Sequence, residues 1–278
     1  MSLGDGWDRV DHLLDLARRT LSPAQAGQLS EQVCALIGDH VTGSLVTRNR
    51  EAEAVRTVLR DGAVRVVFQP VVRLDDDRIV GYESLARFDF APPDRAFAVA
   101  ADSGLGVALE LLAIRRAFEQ LPVMPYDTTL SVNLSVEALL TTEVEAEVIA
   151  HAPAGLCVEI TEHSQVPDYP ALAEVTERLR AAGVLIVVDD AGAGYASLSH
   201  ILQLRPDVIK LDISLTRDID NDPARAALAR SLTGLAAESG GRIVAEGVET
   251  RAEYEKLRAI GVHFAQGYYL AKPGPLPG

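Results

Sequence analysis

Polar side chains that can do chemistry recur within short apolar runs along the chain. The residues are Gln69, Glu83, Asn133, Glu159, Asp189 with Asp190, Lys210, Glu246 and Gln266. A charged side chain inside a strand is costly to bury unless it is paired or binds a metal ion. A single residue of this kind could be a carboxylate that is buried in the core and satisfied by hydrogen bonds. One polar group in each of eight runs indicates a shared site.

These residue types favour a divalent cation held by oxygen atoms. Five carboxylates and the Asn133 carbonyl form an all-oxygen set, which suits Mg²⁺ or Mn²⁺, and Ca²⁺ by size. The six histidines have no HxH or HExxH spacing, so neither a zinc site nor a His-rich di-iron site is expected.

Five carboxylates carry too much negative charge for one divalent ion. Two ions about 3.5–4 Å apart would balance them and activate a water for in-line attack on a phosphate. Lys210 would orient that water or stabilise charge on the phosphoryl group. The set predicts a metal-dependent phosphodiesterase.

Eight β-branched runs carry these residues and alternate with longer stretches of helical periodicity, which is typical of parallel strands joined by crossover helices. The runs span 64–72, 78–86, 129–135, 156–161, 184–190, 207–212, 242–247 and 263–269. Eight such strands predict a closed α/β barrel, in which the active face is the carboxyl end of the strands. The polar groups fall toward that end.

The first connection departs from a regular barrel. Only residues 73–78 separate the first two runs, whereas a parallel crossover needs about a dozen residues or more. The first strand should therefore run antiparallel to the second, with an Asp-rich hairpin turn between them. At the other end of the chain, the Pro- and Gly-rich segment KPGPLPG is expected to fray.

Residues 1–60 are predicted to form a helical segment that precedes the barrel of residues 61–278. Apolar residues follow helical spacing over 7–21, after a Ser-Pro start at residue 22, and over 49–60. Two interpretations stay open for this segment: a helical lead-in that packs on the barrel or on a partner chain, and the remnant of a regulatory domain.

Composition excludes several broad classes. With 26 basic and 40 acidic residues, the formal net charge is -14, which argues against coating of DNA or RNA. No apolar run reaches membrane-span length, and the first residues lack the pattern of a secretory signal, so no membrane association is expected. Cys34 and Cys157 form no CxxC pair. Cys157 lies in an apolar run and is expected to be an inert buried thiol, in keeping with a cytoplasmic protein.

Taken together, the motifs match a known family. The chain resembles the EAL-domain cyclic-di-GMP phosphodiesterases over about residues 60–273, with the signature tripeptide present as Glu83-Ser84-Leu85. The matching blocks follow the family's order and are FQPVV, IVGYESLAR, VNLS, VEITE, VVDDAGAGYASL, DVIKLD, VAEGVET and QGYYLAKP. Any one block is weak, but their joint agreement is highly specific.

The resemblance implies a TIM-like (β/α)8 barrel with an antiparallel first strand and an enzyme of bacterial second-messenger signalling. That enzyme would hydrolyse cyclic di-GMP to linear pGpG with two Mg²⁺ or Mn²⁺ ions. The implied metal ligands are Glu83, Asn133, Glu159, Asp189 and Asp190, with Asp189 bridging the two ions.

Roles for other residues also follow from the resemblance alone. Lys210 and Glu246 would position or deprotonate the attacking water, and the choice of base between them stays open. Glu162 would brace the loop after strand five, and the family commonly forms homodimers through the region around that loop. The substrate contacts would be Gln69, Arg87 and Gln266.

The loop after strand five departs from the family pattern. It reads DDAGAGYAS, with Ala191 where the family usually has Phe and Ala193 where it usually has Thr. The lost aromatic removes packing area and the lost hydroxyl removes a hydrogen bond, so the loop would align Asp189 and Asp190 less firmly. The alternative function is therefore a catalytically weak or inactive cyclic-di-GMP receptor. A third hypothesis is a barrel that binds a protein partner through its N-terminal helices.

Overall fold

The computed structural model describes residues 47, 49–160, 166, 168–191 and 201–277, and for Asp190 and Ala191 it describes the backbone only. The chain divides into two units, Met1–Ala54 and Val55–Gly278. Residues 49–61 are helical, where the sequence predicts a helix over 49–60. The helices expected before residue 47 lie outside the described residues, so the division at residue 60 stays a prediction.

Eight strands close into a barrel in sequence order. The second to eighth strands run parallel to one another, and the first pairs antiparallel with both of its neighbours. The strands are β1 Arg65–Arg73, β2 Ile79–Arg87, β3 Thr129–Leu134, β4 Leu156–Ile160, β5 Leu185–Ala191, β6 Val208–Leu211, β7 Arg242–Ala245 and β8 Phe264–Ala265. The predicted fold class is confirmed, including the antiparallel first strand.

A short turn reverses the chain between β1 and β2. The Arg73 amide donates to the Arg78 carbonyl at 2.8 Å, and Asp77 takes a left-handed φ of 58°. Asp tolerates this conformation better than most side chains do. The turn is too short for a crossover helix, which explains why β1 is the antiparallel member.

Helices surround the barrel and bury an apolar face against it. They are α1 residues 49–61, α2 Pro93–Asp102, α3 Gly106–Phe118, α4 Val136–Leu139, α5 Thr142–His151, α6 Tyr169–Ala181, α7 Ile213–Thr216, α8 Pro223–Glu238 and α9 Arg251–Ala259; residues 201–204 are also helical. The main core lies between strands and helices and includes Leu130, Val158, Ile186, Leu172 and Leu232. In the described part of the chain, no helix is both long and apolar enough to cross a membrane.

The C-terminal segment is ordered, and the expectation that it frays is wrong. Gly274 exchanges two backbone hydrogen bonds with Phe68 of β1, at 2.7 and 3.0 Å. Gln69 also donates from Nε2 to the Ala271 carbonyl at 3.0 Å, and Leu276 packs on the main core. Proline and glycine disfavour regular helices and strands, but here they let an extended segment pair with β1 at Phe68.

Candidate active site

The ammonium group of Lys210 lies among four carboxylates inside the barrel. From Lys210 Nζ the oxygens lie at 2.6 Å (Glu246 Oε1), 2.7 Å (Glu159 Oε2), 3.3 Å (Asp189 Oδ1) and 3.6 Å (Glu83 Oε2). The Lys210 side chain is 2% exposed. A buried charge of this kind is tolerated because opposite charges surround it.

Strand register explains how residues so far apart in sequence meet. Asn133 and Glu159 stand opposite each other on β3 and β4, and Gln69 stands opposite Glu83 on β1 and β2. Side chains alternate between the two faces of a strand, so these residues all point into the barrel. Glu246 directly follows β7, and Gln266 directly follows β8.

Amide side chains hold Glu83 from both sides. Asn133 donates from Nδ2 to Glu83 Oε1 at 2.9 Å, and Gln266 donates from Nε2 to Glu83 Oε2 at 2.7 Å. Gln266 Nε2 also reaches Gln69 Oε1 at 3.0 Å. Among the described side chains, the one buried polar atom without a hydrogen-bond partner is Gln266 Oε1. A buried acceptor of this kind needs a donor, and a water or a substrate N–H would supply one.

The four carboxylates outnumber the single ammonium, and their pKa values reflect this. Burial, reinforced by the neighbouring charges of Glu83 and Asp189, raises the pKa of Glu159 to about 8 despite Lys210. Burial likewise raises the pKa of Glu246 well above its usual range. For Glu83, burial is outweighed by Lys210 and the two amide donors, so the pKa falls below its usual value. If all four carboxylates were ionised, they would carry more negative charge than Lys210 offsets.

This surplus is what bound divalent cations would neutralise. The oxygen donors of Glu83, Glu159 and Asp189 and the carbonyl of Asn133 fit Mg²⁺ or Mn²⁺ in chemistry. Glu162 and the side chain of Asp190 lie outside the described residues. Among the residues that are described, no group of three or more His, Cys, Asp or Glu side chains is arranged to coordinate a metal ion. In the described carboxylate cluster, Lys210 makes the ionic contacts. The donor set therefore fits a metal by type and charge.

The other predicted site residues fall into two groups. Arg87 ends β2 on the same face of the strand as Glu83, and it donates from Nη1 to the Ala86 carbonyl at 2.9 Å. Glu162, the Asp190 side chain, and the altered loop beyond Ala191 lie outside the described residues. Of the nine other predicted site residues, the structure places Arg87 at the edge of the site and brings eight together through side-chain contacts or facing register positions: Gln69, Glu83, Asn133, Glu159, Asp189, Lys210, Glu246 and Gln266.

Sequence reasoning missed three residues that support the site. Glu110 on α3 accepts the Ser135 amide at 2.7 Å, just beyond Asn133, and burial raises its pKa. Thr216 of α7 donates its hydroxyl to the Glu246 carbonyl. Glu253 of α9 accepts backbone amides of the segment after β7. The Thr250-x-x-Glu253 spacing is a capping-box signal that would have found Glu253, whereas the other two contacts carry no such signal.

A cavity of about 460 Å³ opens at the opposite end of the barrel. Residues at the amino ends of the parallel strands line it, among them Thr129, Leu185 and Arg242, and its inner end reaches Glu159 and Lys210. Cys157 also lines it; this thiol is buried, and burial raises its pKa to about 11, as expected for an inert cysteine. Glu159 and Lys210 thus separate the polar carboxyl end from the cavity below.

Comparison with known proteins places the chain. Residues 52–273 match the family model described as EAL domain. A probable cyclic di-GMP phosphodiesterase, PdeA of Escherichia coli, is 30% identical over 99% of this chain, and a cyclic di-GMP phosphodiesterase of Pseudomonas aeruginosa is 32% identical over 75% of it. This chain spans 40% of the first protein and 38% of the second.

A solved structure agrees with these sequence relatives. Klebsiella pneumoniae BlrP1, in a manganese and cyclic di-GMP complex, matches with a TM-score of 0.67 and 28% identity, covering 76% of this chain and 56% of that one. The barrel, the carboxylate cluster and the family match agree with one another. The chain belongs to the EAL domain family.

Proposed function

We propose that this chain is a metal-dependent phosphodiesterase that hydrolyses cyclic di-GMP to linear pGpG. The observation that carries the proposal is the cluster around Lys210, where four carboxylates exceed the charge of one ammonium. Relatives named as cyclic di-GMP phosphodiesterases support the substrate.

Two divalent ions, Mg²⁺ or Mn²⁺, would be held by Glu83, Asn133, Glu159, Asp189 and Asp190. Bound there, they would polarise the phosphate and lower the pKa of a water. BlrP1 in its manganese complex supports the use of a divalent cation. The contacts from Asn133 and Gln266 keep Glu83 in place, and a positioned ligand loses little freedom when it binds a cation.

Lys210 and Glu246 position the attacking water and accept its proton. Their 2.6 Å contact places a donor beside an acceptor, so one group can orient the water while the other takes its proton. Gln69, Gln266 and Arg87 bind the substrate: the free Oε1 of Gln266 accepts a donor, and the Arg87 guanidinium suits a phosphate. From the family resemblance, we also expect Glu162 to brace the loop after β5.

The test is direct hydrolysis. The full chain is incubated with cyclic di-GMP and either Mg²⁺ or Mn²⁺, and pGpG is followed by chromatography. Glu83→Gln keeps the shape of the side chain but removes its charge, so we expect at least a 100-fold loss of kcat. Glu238→Gln is the matched control, because Glu238 is an exposed carboxylate on α8, and it should leave kcat unchanged.

Absence of pGpG with both metals, in parallel with a working enzyme of this family, would refute the proposal. Binding of cyclic di-GMP without turnover would identify the receptor that the altered loop of residues 189–197 favours. Normal turnover in Glu83→Gln would show that the metal site is assigned to the wrong residues.

The remaining expectations belong to the same proposal. We expect the barrel of residues 61–278 to act in the cytoplasm as a homodimer, preceded by the predicted helical segment of residues 1–60. Sedimentation velocity at micromolar concentration tests the dimer, which a single species of monomer mass would exclude.

A further inference from the structure

The segment that follows β7 carries Glu246 and is fixed at its first residue. The Glu246 amide donates to the Leu211 carbonyl at 3.1 Å, and the Glu246 carbonyl accepts the hydroxyl of Thr216. Thr216 is fully buried. The buried hydroxyl of Thr216 also lies 3.3 Å from the Ile213 carbonyl of its own helix, but the Glu246 carbonyl is the nearer acceptor, so this hydrogen bond helps to set the position of that carbonyl. The main chain of Glu246 is therefore fastened to β6 and α7.

The same segment is fixed at its far end by one carboxylate. Glu253 Oε2 accepts the amides of Glu249 and Thr250, each at 2.9 Å, and Glu253 Oε1 accepts the amide of Asp218, also at 2.9 Å. Glu253 is 3% exposed. Hydrogen bonds to an ionised acceptor are about twice as strong as neutral ones. One side chain thus joins the segment after β7 to the segment after α7.

Two residues of the segments that Thr216 and Glu253 connect have a left-handed backbone conformation. Asp218 has a φ of 56° and Gly247 a φ of 63°. A Cβ at Gly247 would lie 2.3 Å from Ile213 Cγ1, so α7 packs directly on the glycine. Non-glycine residues in this region persist only where surrounding contacts hold them.

We propose that Thr216 and Glu253 are positioning residues that hold Glu246 in contact with Lys210. Thr216 contacts the main-chain carbonyl of Glu246, and Glu253 contacts backbone amides further along the segment. They act through the main chain on either side of residue 246, and they link α7, the β7 segment and α9 into one brace. The consequence for rate rests on the proposed phosphodiesterase function.

Thr216 offers a direct test because two substitutions separate its hydroxyl from its shape. Thr216→Val replaces the hydroxyl with a methyl group of similar size, and Thr216→Ser keeps the hydroxyl. The matched control is Thr233→Val, since Thr233 is also buried but donates within its own helix to the Ala229 carbonyl. We expect kcat for cyclic di-GMP to fall about 10- to 100-fold in Thr216→Val with KM within twofold, because small misplacements of a catalytic group cost rate. Thr216→Ser should restore it, and Thr233→Val should match wild type.

Glu253→Gln tests the second anchor. A glutamine has one acceptor oxygen, so its NH₂ group would face at least one backbone amide that needs an acceptor. We expect at least 10-fold faster hydrogen exchange at the Glu249 and Thr250 amides, with a fall in kcat in the same direction as Thr216→Val.

A readout that needs no activity separates this proposal from the function. Crystal structures of wild type, Thr216→Val and Thr233→Val give the Lys210 Nζ–Glu246 Oε1 distance, which is 2.6 Å here. A longer distance in Thr216→Val alone supports the brace even if wild type fails to hydrolyse cyclic di-GMP. Equal distances in all three proteins, or equal kcat in Thr216→Val and Thr233→Val of an active enzyme, would overturn it.

Discussion

At the scale of single residues, Lys210 is the group on which the site depends. It has 2% exposure and contacts four acids, so it neutralises part of a charge that burial would otherwise make prohibitive. Its own pKa lies well above the usual value, because the surrounding carboxylates outweigh the effect of burial. The raised pKa values of Glu159 and Glu246 show that this neutralisation is incomplete.

Replacing Lys210 with an apolar residue should therefore destabilise the fold in a pH-dependent way. In metal-free buffer we expect Lys210→Met to lose about 3–5 kcal/mol at pH 8, because buried carboxylates are left without their cation. Such acids have raised pKa values in the folded state, so the native protein binds more protons than the unfolded chain, and the loss should shrink as the pH falls toward 5.

Urea unfolding at both pH values measures this difference. Lys256→Met is the control, since Lys256 lies on α9 outside the cluster, and its effect should be small and independent of pH. An equal loss for Lys210→Met at pH 8 and pH 5 would contradict the prediction.

At the scale of elements, the carboxyl ends of the strands position the site residues, and the segments that follow the strands keep them in position. The site residues of β7 and β8 stand just past two very short strands, so strand pairing alone fixes them weakly. Backbone hydrogen bonds compensate for this short pairing. The Gln266 backbone amide donates to the Ala245 carbonyl at 2.8 Å, and the Val248 backbone amide donates to the Gln266 carbonyl at 3.1 Å.

Glu253 should make the stability of this region depend on acid. Burial raises the pKa of Glu253, but hydrogen bonds from three backbone amides and the Thr250 hydroxyl outweigh it, so the pKa lies below its usual value. A lowered pKa stabilises the folded state above the unfolded pKa, near 4.5, and this contribution is lost as the pH falls through the folded pKa. From hydrogen bonds to a charged group we expect Glu253 to contribute about 2 kcal/mol at pH 7.

Urea unfolding from pH 7 to pH 3 of wild type and Glu253→Gln tests this. The two curves should converge as the pH drops below about 4.5, since glutamine has no charge to lose. Glu255→Gln, on the exposed side of α9, serves as the control and should follow wild type. A constant gap between wild type and Glu253→Gln over the whole range would refute the assignment.

At the scale of the whole molecule, the seam between β1 and β8 is one of the two shortest strand pairings that close the barrel, the other being that between β7 and β8. This seam consists of two residue pairs, Val72 with Ala265 and Arg73 with Phe264, whereas β1 and β2 pair along their whole length. The C-terminal segment reinforces β1 beyond the short β8 through the Phe68–Gly274 pair. The segment around Gly274 is therefore attached to the barrel at β1.

Removal of residues 273–278 should weaken this seam. The two backbone hydrogen bonds of Gly274 and the packing of Leu276 are lost, for which we expect about 2–3 kcal/mol of stability. Urea unfolding measures the loss, and hydrogen exchange at Phe68 should accelerate. Leu276→Ala separates packing from pairing, since it keeps Gly274. Unchanged Phe68 exchange in the truncated chain would show that the pair does not close the barrel.

The sequence by itself determined the architecture and most of the site. Alternating strands and helices, and the short 73–78 connection, follow from local periodicity and chain length, so a closed barrel with an antiparallel first strand was predictable. The position of one polar residue near the carboxyl end of each strand likewise predicted which side chains converge, because strand geometry fixes the direction of each side chain. The predicted helix over 49–60 rests on the same kind of local signal.

Only the tertiary structure decided how these groups interact. That one ammonium contacts four carboxylates, that Thr216 holds the carbonyl of Glu246, and that Gly274 pairs with Phe68 depend on distances between residues far apart in the chain. The hydrophobic periodicity of the sequence does not determine these distances. They are set by strand stagger, loop packing and the closure of the barrel, which exist only once the whole chain has folded.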